Sequence, residues 1–189
     1  VASNNLVNLQ FINQNFALSY NNVQTFQDIH LSQFAIIDVT QPIRSLDIGS
    51  GDVQLQGNQI TLTDGSLISS VTVGAVSDGS IDVIASESVE LIGTSGEGFS
   101  SGLDTSTFGD GNAGNLRITT ERLIIKDGAG VSTSSTFIPG LQNSSDFNGK
   151  SGNLTITASE SIEIIGSSSQ AGASAVTVAT DTAGDAGNL

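Results

Sequence analysis

Gly114-Asn-Leu-Arg-Ile-Thr-Thr-Glu-Arg-Leu-Ile-Ile-Lys-Asp-Gly128 and Gly152-Asn-Leu-Thr-Ile-Thr-Ala-Ser-Glu-Ser-Ile-Glu-Ile-Ile-Gly166 align over fifteen positions without a gap. Gly51–Gly65 and Gly79–Gly93 align with them equally well, and a further copy opens at Gly187-Asn-Leu189. The blocks start 28, 35, 38 and 35 residues apart, so the variation in length falls entirely between them. Blocks of fixed length joined by variable connectors point to a stack of repeated levels.

Within each block the apolar residues alternate. Val53 and Leu55, Ile81 and Val83, Leu116 and Ile118, and Leu154 and Ile156 fill the same two slots, with polar Gln54, Asp82, Arg117 and Thr155 between them. A period of two is a half-buried strand. A second strand follows, as in Ile60-Thr-Leu62 and Leu123-Ile-Ile125, and ends at Gly65, Gly93, Gly128 or Gly166. A third, weaker strand is clearest at Ile68–Val71 and Val131–Thr133. The expected fold is all-β, a right-handed single-stranded parallel β-helix (a solenoid) of roughly six coils with three short strands each. An antiparallel sandwich also has short strands at regular spacing, but it does not explain gap-free homology between blocks. The sharpest expectation is an interior column of Val53, Ile81, Leu116, Leu154 and Leu189.

Two kinds of block alternate. The second apolar pair lies 9 and 11 residues after the opening glycine at Gly51 and Gly114, but 10 and 12 after it at Gly79 and Gly152. The second kind carries one tetrad twice, Ala85-Ser-Glu-Ser88 and Ala158-Ser-Glu-Ser161. A one-residue slip would turn a strand inside out, so a bulge must absorb the extra residue. On this reading Glu90, Lys126 and Glu163 share one outward slot, with the lysine between two carboxylates.

Two regions are expected: an irregular N-terminal coil, or a remnant of preceding coils, over 1–22, and the repeat region over 23–189, cut short at its C-terminal end. Asp28-Ile-His-Leu31 and Ala35-Ile-Ile-Asp38 read as strands one and two of an early coil. The connectors at 94–113 and 134–151 read as display loops. The absence of Met and the unfinished last block suggest a piece of a longer precursor whose two ends would associate with other copies, end to end or in a filament.

Composition narrows the function. The 189 residues contain 5 Lys+Arg against 19 Asp+Glu, a net charge of −14, which argues against nucleic acid or an anionic membrane surface as a partner. No run of 18 apolar residues exists, so membrane insertion is not expected. With no Cys there is no disulfide framework and no thiolate chemistry.

The words Phe26-Gln-Asp-Ile-His-Leu-Ser32, Val53-Gln-Leu-Gln-Gly57, Ile60-Thr-Leu-Thr-Asp-Gly65, Ala85-Ser-Glu-Ser-Val-Glu-Leu-Ile-Gly93, Asp110-Gly-Asn-Ala-Gly-Asn-Leu116 and Lys126-Asp-Gly-Ala129 resemble the repeat region of filamentous-haemagglutinin-like exoproteins of bacterial two-partner secretion. The resemblance covers about residues 24–189. It implies a right-handed β-helix, export through an outer-membrane two-partner secretion transporter by way of an N-terminal domain preceding Val1, and a secreted or cell-surface location. It carries no catalytic residue across. The function expected is a non-catalytic structural or adhesive fibre segment. The alternative is a polysaccharide-binding or polysaccharide-cleaving β-helix, and a surface carbohydrate or cell receptor is a candidate partner in either case.

No residue reads as a catalytic, cofactor-binding or metal site. His30 is the only histidine and has no second His or Cys for zinc, so it is expected to be an outward strand residue. Glu87, Glu90, Asp104, Asp110, Asp146, Glu160, Glu163, Asp181 and Asp185 invite a carboxylate-pair or calcium reading. A lyase would also need a base from Arg44, Arg117, Arg122, Lys126 or Lys150. The calcium β-roll repeat is absent, which leaves adventitious calcium and no cofactor. Asp110–Asn115 reads as a turn in which Gly and Asn supply positive φ.

Overall fold

The computed structural model describes residues 8–12, 15–19, 23, 25–40, 50–75, 79–137 and 147–189. Arg44, Asp146 and part of both 1–22 and 134–151 lie outside the described residues. Among the described residues the chain is all-β, with fourteen strands and no helix.

An antiparallel ribbon comes first, β1 (Asn8–Ile12) against β2 (Asn15–Ser19), in the region expected to hold an irregular coil or a remnant of preceding coils. Five pairs of strands follow: β3 (Ile29–Leu31) with β4 (Ile36–Asp38), β5 (Val53–Thr63) with β6 (Leu67–Val73), β7 (Ile81–Ile92) with β8 (Gly102–Phe108), β9 (Leu116–Lys126) with β10 (Gly130–Ser135), and β11 (Leu154–Ile165) with β14 (Ala175–Thr180). Between β11 and β14 lies a small hairpin, β12 (Ser167–Ser168) and β13 (Gly172–Ala173). The first strand of each pair joins one five-stranded sheet, ordered β11-β9-β7-β5-β3, and the second joins another, ordered β14-β10-β8-β6-β4. Every pairing in both sheets is parallel. Each pass of the chain therefore adds one strand to each sheet beside its predecessor, and we call one pass a level.

The expected first and second strands are one continuous strand, so a level holds two main strands rather than three. No turn separates the halves because the alternation shift is absorbed within the ladder. Gly57 pairs with Ala85 and Gln59 with Ser88, so Asn58 faces both Ser86 and Glu87, and the register shifts likewise between Ala158 and Ser161. The bulge in each second-kind block falls on its repeated tetrad. Ile29 pairs with Ile60 and Ile36 with Leu67, so Asp28–Leu31 matches the second half of a long strand and Ala35–Asp38 a strand of the second sheet, one element later than expected.

The core lies between the sheets. Val53, Ile81, Leu116 and Leu154 pair in succession and are all buried. Leu189 follows in the same ladder, since Leu154 N–H donates to the Asn188 carbonyl (2.9 Å) as Leu116 N–H does to that of Asn153 (2.9 Å), but it lies beyond the last strand and is 75% exposed, so it is not buried as the other four are. The inner face of the second sheet is partly hydroxylic. Ser70, Thr105 and Thr133 are fully buried and donate to the carbonyls of Gly51, Gly114 and Gly152 at 3.2, 2.8 and 2.7 Å. A buried hydroxyl that found no acceptor would cost about 1–3 kcal/mol, so these bonds fix how each level closes. Because Gly102–Phe108 alternates polar residues with other polar residues, it gives little apolar signal; it is strand β8, not part of a display loop.

The opening glycines answer to space. A Cβ on Gly79, Gly114, Gly152 or Gly187 would lie well inside 3.0 Å of the carbonyl oxygen of the matching glycine one level back. Beside them Asn153 bonds Asn115 through both its backbone N–H (2.9 Å) and its side-chain amide (3.2 Å), and Asn188 bonds Asn153 likewise. This corrects the reading of Asp110–Asn115, none of which has positive φ. Positive φ is used instead at Asp64-Gly65 (56° and 76°) and Asp127-Gly128 (57° and 87°), where a two-residue turn joins the sheets. Ser66 N–H closes one such turn on Thr63 (3.0 Å) and Ala129 N–H the other on Lys126 (3.2 Å).

Candidate functional site

A trough of about 540 Å³ lies on the outer face of the second sheet. Its floor is the row Ile36, Leu67, Gly102, Gly130 and Ala175, which are direct partners across five strands. Side chains are large at Ile36 and Leu67, absent at Gly102 and Gly130, and small at Ala175, which leaves room above the middle and later levels. The adjacent outward row supplies a polar wall: Asp104 pairs with Ser69 and Ser132, and Ser132 with Thr177. Ser106 donates to both Asp104 oxygens (2.9 and 2.8 Å), and Ser132 also donates to this carboxylate.

The opposite wall is aromatic. Levels with an Asp-Gly turn pass directly between sheets, but after Gly93 the chain makes a small flap, bridged at Thr94 and Ser100. Ser95 locks it, accepting at its carbonyl from Gly98 N–H (3.0 Å), at its hydroxyl from Phe99 N–H (3.1 Å), and donating its own N–H to the Phe99 carbonyl (2.8 Å). Phe99 is thereby held 53% exposed against Phe34, with ring centroids 5.3 Å apart and planes tilted by 48°. The β12–β13 hairpin repeats the device two levels on, and the flaps touch at Thr94–Ser168 (3.2 Å) and at Gln170 Nε2 to the Gly96 carbonyl (3.2 Å).

Charges gather on the first sheet at the bulges. Arg122 reaches Glu87 one level back (2.8 Å) and Glu160 one level on (3.3 Å). Asn58 extends this chain of contacts, donating to Glu87 (3.2 Å) and Asp28 (3.1 Å). Gln59, then Arg122, hold the Glu87 carboxyl below the usual carboxylate range, against a smaller desolvation effect. Arg117 makes a two-pronged contact to Asp82 (3.1 and 2.7 Å). Lys150 pairs with Asp185 (2.8 Å), which lowers the aspartate's pKa and raises the lysine's through the hydrogen bond first and charge second.

The expected Glu90–Lys126–Glu163 stack does not form. Glu90 and Glu163 both pair with Ile124, whereas Lys126 pairs with Ile92 and Ile165. The bulge moves second-kind blocks forward by one residue, so the slot matching their glutamates is one residue before Ile125, not one after it. A cation between two carboxylates exists, at Arg122, because the bulge brings both tetrad glutamates to it. His30 is exposed on β3, 3.4 Å from the Thr63 hydroxyl. Among the described residues no group of three or more His, Cys, Asp or Glu is placed to hold a metal ion.

The sequence reading missed the trough entirely. Its signal, Gly102 and Gly130 at the first positions of strands and Phe99 just after Gly96 and Gly98, lies in connectors that carried no repeat. Comparison with known protein families, curated proteins and solved structures found no match.

Proposed function

We propose that this chain is a right-handed, single-stranded parallel β-helix of the filamentous-haemagglutinin-like kind, secreted through a two-partner transporter to the cell surface, where it is structural or adhesive and non-catalytic. The observation that carries the reading is the unbroken parallel register of both sheets through five levels, held by glycine and asparagine ladders that allow any number of further levels. Right-handed winding follows from strand twist, which makes parallel crossovers right-handed in ~98% of cases. The same reading includes end-to-end association with other copies, which would cover Ile162 and Ile164, exposed in inward slots of β11.

The rival, polysaccharide binding or cleavage, draws on the trough. Cleavage is the weaker half of it. Hydrolysis needs two carboxyl groups about 5–10 Å apart, and among the residues lining the trough only Asp104 is ionisable. The test is retention against turnover. Polysaccharide or cells held by the immobilised chain, with no new reducing or unsaturated ends, is the expected result. Product release would overturn the non-catalytic reading, and left-handed winding in an experimental structure would overturn the fold.

A further inference from the structure

We infer that the trough on the second sheet binds a neutral, linear oligosaccharide lying along the stacking direction, across the strands. The inference rests on the non-catalytic reading above, takes up the binding half of its rival, and names the ligand class of the surface.

The first support is Gly130. Gly130 opens β10 and is paired on both sides, with Gly102 and with Ala175, where a side chain would pack on the sheet face; a glycine there often marks a close approach by another group. Gly102, its partner across the ladder, has a local reason to be glycine, because a Cβ there would collide with the Gly130 carbonyl. Gly130 has none: it lacks positive φ, and a Cβ would meet only the Ala175 carbonyl at 3.6 Å, an ordinary contact. What the absent side chain leaves open is the floor of the trough.

The second support is the chemistry of the walls. Phe34 and Phe99 face the trough from one side, and Asp104, Ser132 and Thr177 from the other. A pyranose ring has an apolar C–H face that packs on aromatic rings and an edge of hydroxyls that donate and accept. Asp104 is a preset acceptor, held by Ser106 and Ser132. With one carboxylate and no cation among the lining residues, the trough disfavours acidic glycans. It also disfavours a peptide strand paired along the trough, which would need a free sheet edge, because three of the five floor strands, β6, β8 and β10, are paired on both sides. The row crosses five strands, about 19 Å from first to last, so several sugar rings fit in line.

The experiment uses the whole chain with cellohexaose, xylohexaose and hexagalacturonate, followed by affinity electrophoresis and NMR titration. Binding of at least one neutral hexamer is expected, with little or none of the acidic one. Gly130→Leu, which fills the floor, and Phe99→Ala, which removes an exposed ring, should each weaken it by about tenfold or more while leaving the β-rich circular dichroism and melting temperature near wild type. If Gly130→Leu perturbs folding, Phe99→Ala decides. No neutral binding, binding indifferent to both variants, a preference for the acidic hexamer, or capture of apolar peptides instead would each overturn the inference. None of those results touches the adhesive β-helix reading, which fails on turnover or on handedness.

Discussion

Leu123 and Ile162 occupy the same slot in neighbouring levels and pair directly, yet Leu123 is 0% exposed and Ile162 is 50% exposed. The next inward slot repeats the contrast, with Ile125 buried and Ile164 exposed. The residue types are alike and so are the strands. What differs is that β9 has a strand on each side, while β11, among the described residues, has one on one side only. The second half of β11 therefore does not bury its own apolar residues. A neighbouring level does: Leu154, on the same strand, is buried where Asn188 and Leu189 follow it, so the core between the sheets is completed level by level.

That contrast can be broken most severely at the glycine ladder. Gly114→Ala should abolish cooperative unfolding in urea or cost more than about 4 kcal/mol, because the new Cβ meets the Gly79 carbonyl in the middle of the stack. Gly130→Ala, where the space is open, should unfold like wild type; equal losses in the two variants would refute the ladder account.

Truncation comes next. Leu123→Ala should cost about 2–5 kcal/mol, through the cavity left between two levels. Ile162→Ala, in the matching slot of the open level, should cost under about 1.5 kcal/mol, since half its surface already meets solvent. Denaturant midpoints of the two variants give the comparison directly, and similar costs would show that burial does not depend on a neighbouring level.

The hydroxyl half of the core is a smaller lever. Thr133→Val keeps the shape but strips the Gly152 carbonyl of its donor, so a loss of about 1–3 kcal/mol is expected in the same assay. A neutral outcome would mean that the closing bond contributes nothing net.

The smallest effect concerns the surface network at the bulges. The Glu87 pKa is lowered in the folded state, so its contribution is present in full above the usual carboxylate range and is lost as pH falls through the depressed value. Melting temperature followed through the acid range should therefore fall less steeply in Glu87→Gln than in wild type. Coincident acid limbs would remove Arg122 and its partners from the account.

How much of this was legible in the sequence follows from which residues speak in periods. Val53, Ile81, Leu116 and Leu154 alternate with polar neighbours, so their strand, their parallel stacking and their burial could all be read. The one-residue shift between block types was also visible, and it placed the bulge, although the slot arithmetic built on it put Lys126 two positions from the residues it pairs with. Three features stayed hidden. β8 carries Thr105 and Thr107 inward, and a buried threonine looks like a loop threonine until its acceptor is known. Gly114, inside Asp110–Asn115, looked like part of a turn because crowding by a carbonyl one level away is not a local property. The trough combines Phe34, Phe99 and Gly130, from three different levels, and only pairing across levels brings them together.

Amide hydrogen exchange, read strand by strand on the native chain, tests the central claim that each level is secured by its neighbours. Protection should be greatest in β7 and β9, which have neighbours on both sides, and should fall markedly in β11 and β14, although β11 is as long as β7 and richer in isoleucine. Equal protection of β9 and β11 in a monomeric sample would contradict it.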